Sequence, residues 1–332
     1  MTQALRPSSL FIVNCLVSCL AISILLVSTS LAQVNGTGPS DPDDFDTVVN
    51  LPMDQDNIID EDFIVIGGTP GQTIQVNIDE DGFIGDDSEA RSGGEVNVSG
   101  GSLGSRFMAG SGSEINISSG TVGISFQALD GSLVDISGGT LSDSFEINAG
   151  SEVTVSGGNF GDIVTRGSMN ISGGTVSSLL QANSGSEVTI SGGSLNTLAA
   201  SLGSQVNLIG RVFLIDGQEI DTLVEGEAFT VTDRNVTLTG LLADGQPFSF
   251  ALNTSFSTSG FASSSATLTV TLDTTGILLG DVDRDGVVDF LDIPPFIDLI
   301  TEGELQAEGD IDQSGAVDFL DIFPFVMILT NS

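Results

Sequence analysis

The chain has 332 residues and a formal net charge of −38, because 45 acidic side chains face only seven basic ones. Nucleic acid and anionic membrane surfaces repel a chain of this charge, whereas divalent cations are attracted to it. The sequence contains no His, Trp or Tyr. It therefore lacks the commonest zinc ligand and the aromatic rings on which sugars and nucleobases stack, and it predicts neither a zinc site nor a nucleic-acid partner.

Residues 1–32 have the pattern of a secretion signal. An apolar segment over residues 10–27 follows a short polar start, and Ser30-Leu31-Ala32 fits a small-x-small cleavage site. We therefore expect the protein to be secreted or to lie at the cell surface. Two alternatives remain open, an uncleaved membrane anchor and a lipid attached to Cys19. Cys15 and Cys19 are the only cysteines, so the chain without this leader has no disulfide.

Residues 33–62 are acidic and rich in turn formers, as in Asp41-Pro42-Asp43-Asp44. This composition predicts a solvated linker rather than a metal site. Two apolar segments, Phe63–Ile66 and Ile74–Ile78, follow the linker. We expect them to begin the next domain and to cover its first strand edge, since an open edge would promote aggregation.

Residues 95–213 repeat one pattern seven times. The steps between copies are 19, 19, 19, 16, 19 and 18 residues, and a less regular copy precedes them at Gln75. A short, nearly constant period is typical of a solenoid, in which each coil buries its apolar side by stacking on its neighbours. The seven copies begin at Glu95, Glu114, Leu133, Glu152, Ser168, Glu187 and Gln205.

Each copy opens with alternating apolar and polar residues, which is the periodicity of a β-strand. A Gly-Gly pair follows in most copies, and paired glycines allow the positive φ angles of a tight corner. Two further apolar positions recur eight and twelve residues into each copy. The first of these columns is Leu103, Val122, Leu141, Phe160, Val176, Leu195 and Phe213, and the second is Phe107, Phe126, Phe145, Val164, Leu180 and Ala199.

Three inward-facing positions per coil predict a mainly β protein in which residues 63–213 form a parallel β-solenoid with 19-residue coils. Segments rich in Gly, Ser, Thr and Val have poor helix propensity, which argues against a helical repeat. A β-sandwich is the competing architecture, although its strands need not recur at a constant interval. We expect a right-handed β-helix, because the period is not a multiple of the hexapeptide found in left-handed triangular coils.

Beyond residue 213 the period is lost, although strand patterning continues. The turn Ala243-Asp244-Gly245 separates the apolar segments Val236–Leu242 and Phe248–Leu252, which is typical of a hairpin. Residues 214–278 are therefore predicted to form an antiparallel β cap that connects the solenoid to the tail. A separate small sandwich is the alternative.

Two aspartate-rich loops in the tail, 29 residues apart, fit the twelve-residue calcium loop. Such a loop supplies oxygen ligands from positions 1, 3, 5, 7, 9 and 12 and has a glycine at position 6. The sequence predicts two calcium ions, with the second bound more weakly because Ser314 replaces an aspartate. The expected ligands are Asp281, Asp283, Asp285, the Val287 carbonyl, Asp289 and Asp292 in the first loop, and Asp310, Asp312, Ser314, the Ala316 carbonyl, Asp318 and Asp321 in the second.

Each loop leads into a short apolar helix. Pro294 and Pro295 fall in the first helical turn if Asp292 precedes it, and backbone amides there lack intrahelical partners in any case. Pro324 follows Asp321 in a similar way. The aspartate at position 12 is thus predicted both to bind calcium and to begin the helix.

The duplicated motif Asp-x-Asp-x-Asp/Ser-Gly-x-Val-Asp-x-x-Asp, followed by a helix, resembles the type I dockerin over about residues 279–330. Aspartate at position 12, the missing entering helix and the tandem duplication match a dockerin rather than an ordinary EF-hand. The resemblance implies that residues 279–332 form a calcium-dependent module that attaches the chain to a cohesin-like or other surface protein. Dockerins usually carry polar residues at loop positions 10 and 11. This chain has Phe290-Leu291 and Phe319-Leu320 there, which we expect to pack the two halves together.

Two functions are consistent with this organisation. The first is a secreted, non-catalytic surface, matrix or adhesin-type protein with a calcium-dependent attachment module. The second is a polysaccharide-degrading β-helix enzyme, a hydrolase or lyase, attached through that module. We favour the first and expect no catalytic residue, because the coils have no long insertions, although polysaccharide remains a candidate ligand. Asp130, Asp135, Asp143 and Asp162 fall at different phases of the repeat, so they predict no catalytic carboxylate pair, and Glu95, Glu114, Glu152 and Glu187 share one phase on an expected exposed face.

Overall fold

The computed structural model describes residues 47–51, 64–69, 71–220, 222–255, 260–273, 279–283, 288–303, 305–312 and 314–330. In these residues a parallel β-solenoid of about seven turns precedes a 3-10 turn, Phe290–Asp292, and two α-helices, α1 (Ile293–Glu302) and α2 (Ile322–Leu329). The predicted mainly β solenoid is confirmed. The expected signal at 1–32 lies outside the described residues. Neither helix of the described part is long and apolar enough to cross a bilayer.

The strands of the described residues are, in chain order, β1 (Thr47–Leu51), β2 (Val65–Ile66), β3 (Ile74–Ile78), β4 (Phe83–Ile84), β5 (Glu89–Ala90), β6 (Gly94–Val98), β7 (Ser102–Leu103), β8 (Met108–Ala109), β9 (Glu114–Ile117), β10 (Thr121–Val122), β11 (Gln127–Ala128), β12 (Leu133–Ile136), β13 (Thr140–Leu141), β14 (Phe145–Ile147), β15 (Glu152–Val155), β16 (Asn159–Phe160), β17 (Ile163–Thr165), β18 (Ser168–Ala182), β19 (Glu187–Ala200), β20 (Gln205–Ile215), β21 (Gln218–Glu219), β22 (Ala228–Thr230), β23 (Thr237–Leu242), β24 (Pro247–Ala251), β25 (Phe261–Ala262) and β26 (Thr267–Leu272).

Each coil has three strand faces. The first face is a ladder of parallel strands that includes β6, β9, β12 and β15, and like residues lie opposite one another. Val96 lies opposite Ile115, and Ile115 lies opposite Val134. Neighbouring strands in such a ladder are about 4.8 Å apart. This vertical alignment is the parallel stacking that a sandwich would lack.

The interior of the solenoid is a continuous column of buried apolar side chains. Three phenylalanines stack within it: Phe126 lies 5.0 Å from Phe145 and 6.1 Å from Phe107 between ring centroids. Further along this column, the predicted inward residue was wrong by one position in two coils. Ile163 and Leu198, not Val164 and Ala199, occupy the inward positions, because the 16-residue coil and a register shift near Leu179 shorten the preceding arcs.

The glycine pairs form the predicted corners. The second glycine of the pair has a positive φ in successive coils, for example 84° at Gly139 and 93° at Gly158. The first glycine allows close stacking. A Cβ atom at Gly157 would lie 2.2 Å from the Ser137 carbonyl oxygen of the preceding coil, so a side chain at this position would require the backbone of one corner to shift.

The stack of strands extends beyond the predicted boundaries at both ends. Upstream, β1 lies inside the segment expected to be a linker and pairs in parallel with β3. Downstream, β26 pairs in parallel with β20, and β25 pairs with β19. The region after residue 213 therefore contains a further partial coil, and the antiparallel hairpin of β23 and β24 is inserted in the chain before it. This hairpin is the one predicted from the Asp244-Gly245 turn.

Candidate metal centre

The two predicted loops each bring three carboxylates together immediately before a helix. The first group is Asp281, Asp283 and Asp292, and the second is Asp310, Asp312 and Asp321. In each group the ligand oxygens lie within 4.8 Å of one another, and the first and last aspartates are buried. Oxygens bound to one calcium ion at about 2.4 Å are separated by at most about 4.8 Å. The donor set thus fits a hard divalent cation.

In the first loop, backbone amides hold the carboxylate of Asp292. Its Oδ1 accepts hydrogen bonds from the Val282 and Asp283 amides at 2.6 and 3.0 Å. Its Oδ2 accepts one from the Asp289 amide at 2.8 Å. These bonds fix the orientation of the carboxylate, and Oδ2, which accepts one hydrogen bond where Oδ1 accepts two, retains a further lone pair for a metal ion.

The second loop repeats this arrangement. Asp321 accepts the amide hydrogens of Asp312 and Asp318 at 2.9 Å each, in the positions where Asp292 accepts those of Asp283 and Asp289. Asp310 also accepts amide hydrogens from Ser314 and Gly315 at 2.9 and 2.8 Å. The sequence duplication has thus produced a duplicated carboxylate geometry.

Burial dominates the electrostatics of Asp310. Loss of solvent raises the pKa of this carboxyl from 3.8 to about 6. The hydrogen bonds from Gly315 and Ser314 oppose that shift, while the charges of Asp321 and Asp312 add to it. A bound cation would remove the repulsion among the three carboxylates and favour the ionised form of Asp310.

The structure does not gather every predicted ligand. Asp285 and Val287 lie outside the described residues. The position-9 aspartates instead accept amide hydrogens of the following turn at 2.6 Å: Asp289 accepts that of Leu291, and Asp318 that of Leu320. In the second loop, Ser314 Oγ lies 3.4 Å from the Ala316 carbonyl oxygen, to which it donates.

Helix α1 begins after Asp292, with proline in its first turn, and α2 begins after Asp321. These starting points agree with the sequence prediction. Neither aspartate makes a side-chain capping bond to its helix, because the carboxylate faces the loop amides instead. The position-12 side chain therefore organises the candidate metal site, and its backbone begins the helix.

The apolar pairs at positions 10 and 11 do not pack the two halves together, and that prediction was wrong. Phe290 and Leu291 are 74% and 64% exposed, and Phe319 and Leu320 are 77% and 68% exposed. Another set of residues forms the core between the helices, including Phe296 and Phe325 with ring centroids 4.1 Å apart. That core is Val282, Val288, Phe296, Leu299, Ile311, Val317 and Phe325. Each exposed pair therefore presents apolar side chains beside its own loop.

A junction between the module and the β cap was not predicted. Glu308, between the two loops, pairs with Arg211 of β20, and both side chains are mostly buried. Arg211 also donates from Nε to the Ala243 carbonyl oxygen at 2.9 Å. An apolar cluster of Ala307, Val212 and Leu241 lies beside this pair. The only sequence signal was the scarcity of basic residues in an acidic chain.

The candidate carboxylates on the solenoid belong to different surroundings. Glu95 and Glu114 lie opposite each other on the first face, and Glu95 accepts hydrogen bonds from Gln75 and Asn97 at 2.8 and 2.7 Å. Leu133 separates Glu114 from Glu152 along this column, and Ser168 separates Glu152 from Glu187. Amides and uncharged residues thus dilute the acidic column.

Among the four aspartates considered as catalytic, Asp143 and Asp162 lie near the same corner of consecutive coils, which corrects the expectation that all four differ in phase. Each lies ten residues into its copy, and they are 19 residues apart, one regular step of the repeat. Asp162 Oδ1 accepts the Leu179 amide hydrogen at 3.2 Å, which gives this carboxylate a role in holding the corner. Asp135 lies on the first face.

Comparisons with protein families, with curated proteins and with solved structures gave no match for this chain.

Proposed function

We propose that this chain is a secreted, non-catalytic surface or matrix protein, in which a stiff β-solenoid carries a calcium-dependent, dockerin-like attachment module. The observation that carries the proposal is the pair of carboxylate triads in the tail, each fixed by loop amides and each placed at the start of a helix. The expected leader at residues 1–32 supports export.

Calcium is the metal that this donor set favours. All of the gathered side-chain donors are carboxylates, and calcium takes six to eight oxygen ligands in a flexible geometry. Backbone carbonyls, the side chains of the remaining predicted positions and water would complete the shell. Extracellular calcium sites bind in the range of about 0.1 to 1 mM, which suits a protein that functions outside the cell.

The attachment surface is the exposed apolar set beside the loops. Phe290, Leu291, Phe319 and Leu320 each follow a position-9 aspartate by one or two residues, so metal binding would order the backbone that presents them. Exposed apolar patches of this kind on a soluble protein mark sites of protein–protein contact. We infer that a surface protein, cohesin-like or of another class, binds here.

Calcium titration of the chain without its leader tests the metal sites. We expect two binding events, and Asp283→Asn and Asp312→Asn should each weaken one of them. Exposed Asp135→Asn on the solenoid is the matched control and should leave both unchanged. Absence of calcium binding, or an identical circular dichroism spectrum in EDTA and in excess calcium, would contradict the proposal.

Partner capture tests the attachment surface. Secreted proteins of the host, applied to the immobilised chain, should bind in calcium and elute with chelator. Phe319→Ser/Leu320→Ser should reduce this capture, while Ile124→Ser, which replaces an exposed apolar residue of the solenoid, should not. Release of reducing ends or unsaturated products from a panel of polysaccharides would instead favour the enzyme.

A further inference from the structure

The tail packs against the solenoid through the segment that joins the two metal loops. Leu305 and Ala307 of this segment contact Val212, Leu214 and Leu241 of the cap strands. The cluster buries Val212, Leu241 and Ala307 to 7%, 2% and 5% exposure. The module is therefore seated on the last strands of the solenoid rather than suspended from a linker.

A polar network lies beside this apolar contact. Arg211 of β20 pairs with Glu308 and donates to the Ala243 carbonyl in the turn of the β23–β24 hairpin. The side chains of Arg211 and Glu308 are only 15% and 7% exposed. A buried ion pair stays favourable only while both partners remain in place, so this pair ties the tail, the strand ladder and the hairpin to one geometry.

The same segment is tied to both metal loops. The Gly280 amide donates to the Glu308 carbonyl at 2.7 Å, and Gln306 Nε2 donates to the Val282 carbonyl at 2.8 Å. Asp310, the first carboxylate of the second triad, follows Glu308 by two residues. A second contact joins the second metal loop to β21. The Glu219 carboxylate lies against Gly315 of that loop, 3.0 Å from the position that a Cβ atom of residue 315 would take.

We propose that the metal-bound tail is a structural cover of β20 and β23, so that calcium binding in the loops and the stability of these two strands form one cooperative unit. Ordering of the loops fixes the segment 305–310, and that segment supplies the partner of Arg211 and the apolar cover of Val212 and Leu241. This inference rests on the proposed calcium sites and adds a second role for them.

Thermodynamic linkage makes the coupling reciprocal. If bound calcium stabilises the packing of the tail on β20 and β23 by some factor, that packing raises calcium affinity by the same factor. The tail then has two outputs. It presents the apolar attachment surface, and it covers apolar side chains of β20 and β23.

Hydrogen–deuterium exchange of the chain without its leader, in calcium and in EDTA, tests the coupling. In the unsubstituted chain, calcium should slow exchange in α1 and α2 and also slow exchange in β20 and β23 by about tenfold, a typical coupling factor. Exchange in β12, in the middle of the solenoid, should change by less than about twofold, since coils contact only their neighbours.

Arg211→Met/Glu308→Met removes the ion pair without leaving a lone buried charge. Calcium should still protect α1 and α2 in this variant, but it should slow exchange in β20 and β23 by less than about twofold. Calcium affinity should fall by the same factor by which the protection of β20 and β23 falls. Arg166→Met replaces an exposed arginine of the coils and should keep the full gain. Where the double variant loses protection in β12 as well, Glu308→Gln gives the same test with the side-chain shape retained.

Protection of the helices without protection of β20 and β23 in the unsubstituted chain would overturn the coupling and leave the calcium sites standing. If calcium changed exchange neither in the helices nor in β20 and β23, both the coupling and the calcium sites would be contradicted. A full gain of cap protection in the folded double variant, or in Glu308→Gln, would show that the Arg211–Glu308 junction does not carry the coupling and would overturn it too.

Discussion

Removal of one ring from the phenylalanine stack tests the physical basis of the solenoid. Phe126 is 1% exposed and lies between Phe107 and Phe145, with ring centroids 6.1 and 5.0 Å away. Truncation of a buried phenylalanine to alanine costs about 3–5 kcal/mol. Phe126→Ala also removes two aromatic contacts, each of which contributes about 0.5–1.5 kcal/mol. We therefore expect its cost to lie near the upper end of that range.

Urea unfolding, followed by circular dichroism at fixed calcium, measures this cost. A loss of about 4 kcal/mol lowers the midpoint by about 1.5 M if the m-value is about 2–3 kcal/mol per M. Thr121→Ala in the same coil removes an exposed side chain and should change stability by less than about 0.5 kcal/mol. In a linear array the damage should also be local, so exchange should quicken most in β8, β11 and β14.

A cost below about 1 kcal/mol for Phe126→Ala, or a cost equal to that of Thr121→Ala, would refute the assignment of a continuous packed interior. Uniform acceleration of exchange from β3 to β19 would instead show that the solenoid unfolds as one unit. In that case nearest-neighbour coupling would not describe its stability.

Three further predictions concern the corners and the metal loops. Gly157→Ala should destabilise the solenoid by about 1–3 kcal/mol, because the added methyl group overlaps with the preceding coil. Gly185 has a φ of 87° but open space around it, so Gly185→Ala should cost only about 1 kcal/mol. Urea unfolding measures both costs. Asp321→Asn should weaken calcium binding at the second loop about tenfold or more, measured by calorimetry, because a neutral amide replaces a charged ligand. With the pKa of Asp310 at about 6, calcium affinity at that loop should be about tenfold lower at pH 5 than at pH 7, because protons compete for the carboxylate at the lower pH. Without calcium, pH should act on folding stability in the opposite direction. The contribution of Asp310 to stability falls as pH rises from about 4 to about 6, because the folded state holds a proton that the unfolded state releases.

The repeat predicted the solenoid because its period records a geometric necessity. Residues such as Val96, Ile115 and Val134 recur at one interval because each must lie on the same face of consecutive coils. The period failed wherever an arc changed length. At Ile163 and Leu198 one residue fewer reaches the inward position, and the register of side chains depends on such arc lengths rather than on composition.

The last partial coil could not be found from the period. β26 stacks on β20 although 62 residues separate Gln205 from its partner Thr267. The inserted hairpin removes the constant interval, and only the alternation within Thr267–Leu272 remained as a signal. Such alternation is equally consistent with an antiparallel strand, which explains why the cap was predicted to be wholly antiparallel.

The metal loops were more predictable than their surroundings. Ligand spacing is local, so Asp281, Asp283 and Asp292 could be read directly from the sequence. The exposure of Phe290 and the pairing of Arg211 with Glu308 depend instead on which face of the module meets the cap. Residues 97 apart in the chain form that ion pair, and no local pattern specifies such a contact.

The two halves of the molecule respond differently to their own negative charge. On the solenoid, Leu133 and Ser168 separate several glutamates of the first face, and Glu95 accepts a hydrogen bond from Asn97, which lowers the repulsion among these charges. In the tail, three carboxylates converge within 4.8 Å in each loop, and like charges at that distance oppose folding unless a cation lies between them. The calcium response of the chain should therefore originate in the tail and reach the solenoid only through the strands that contact it.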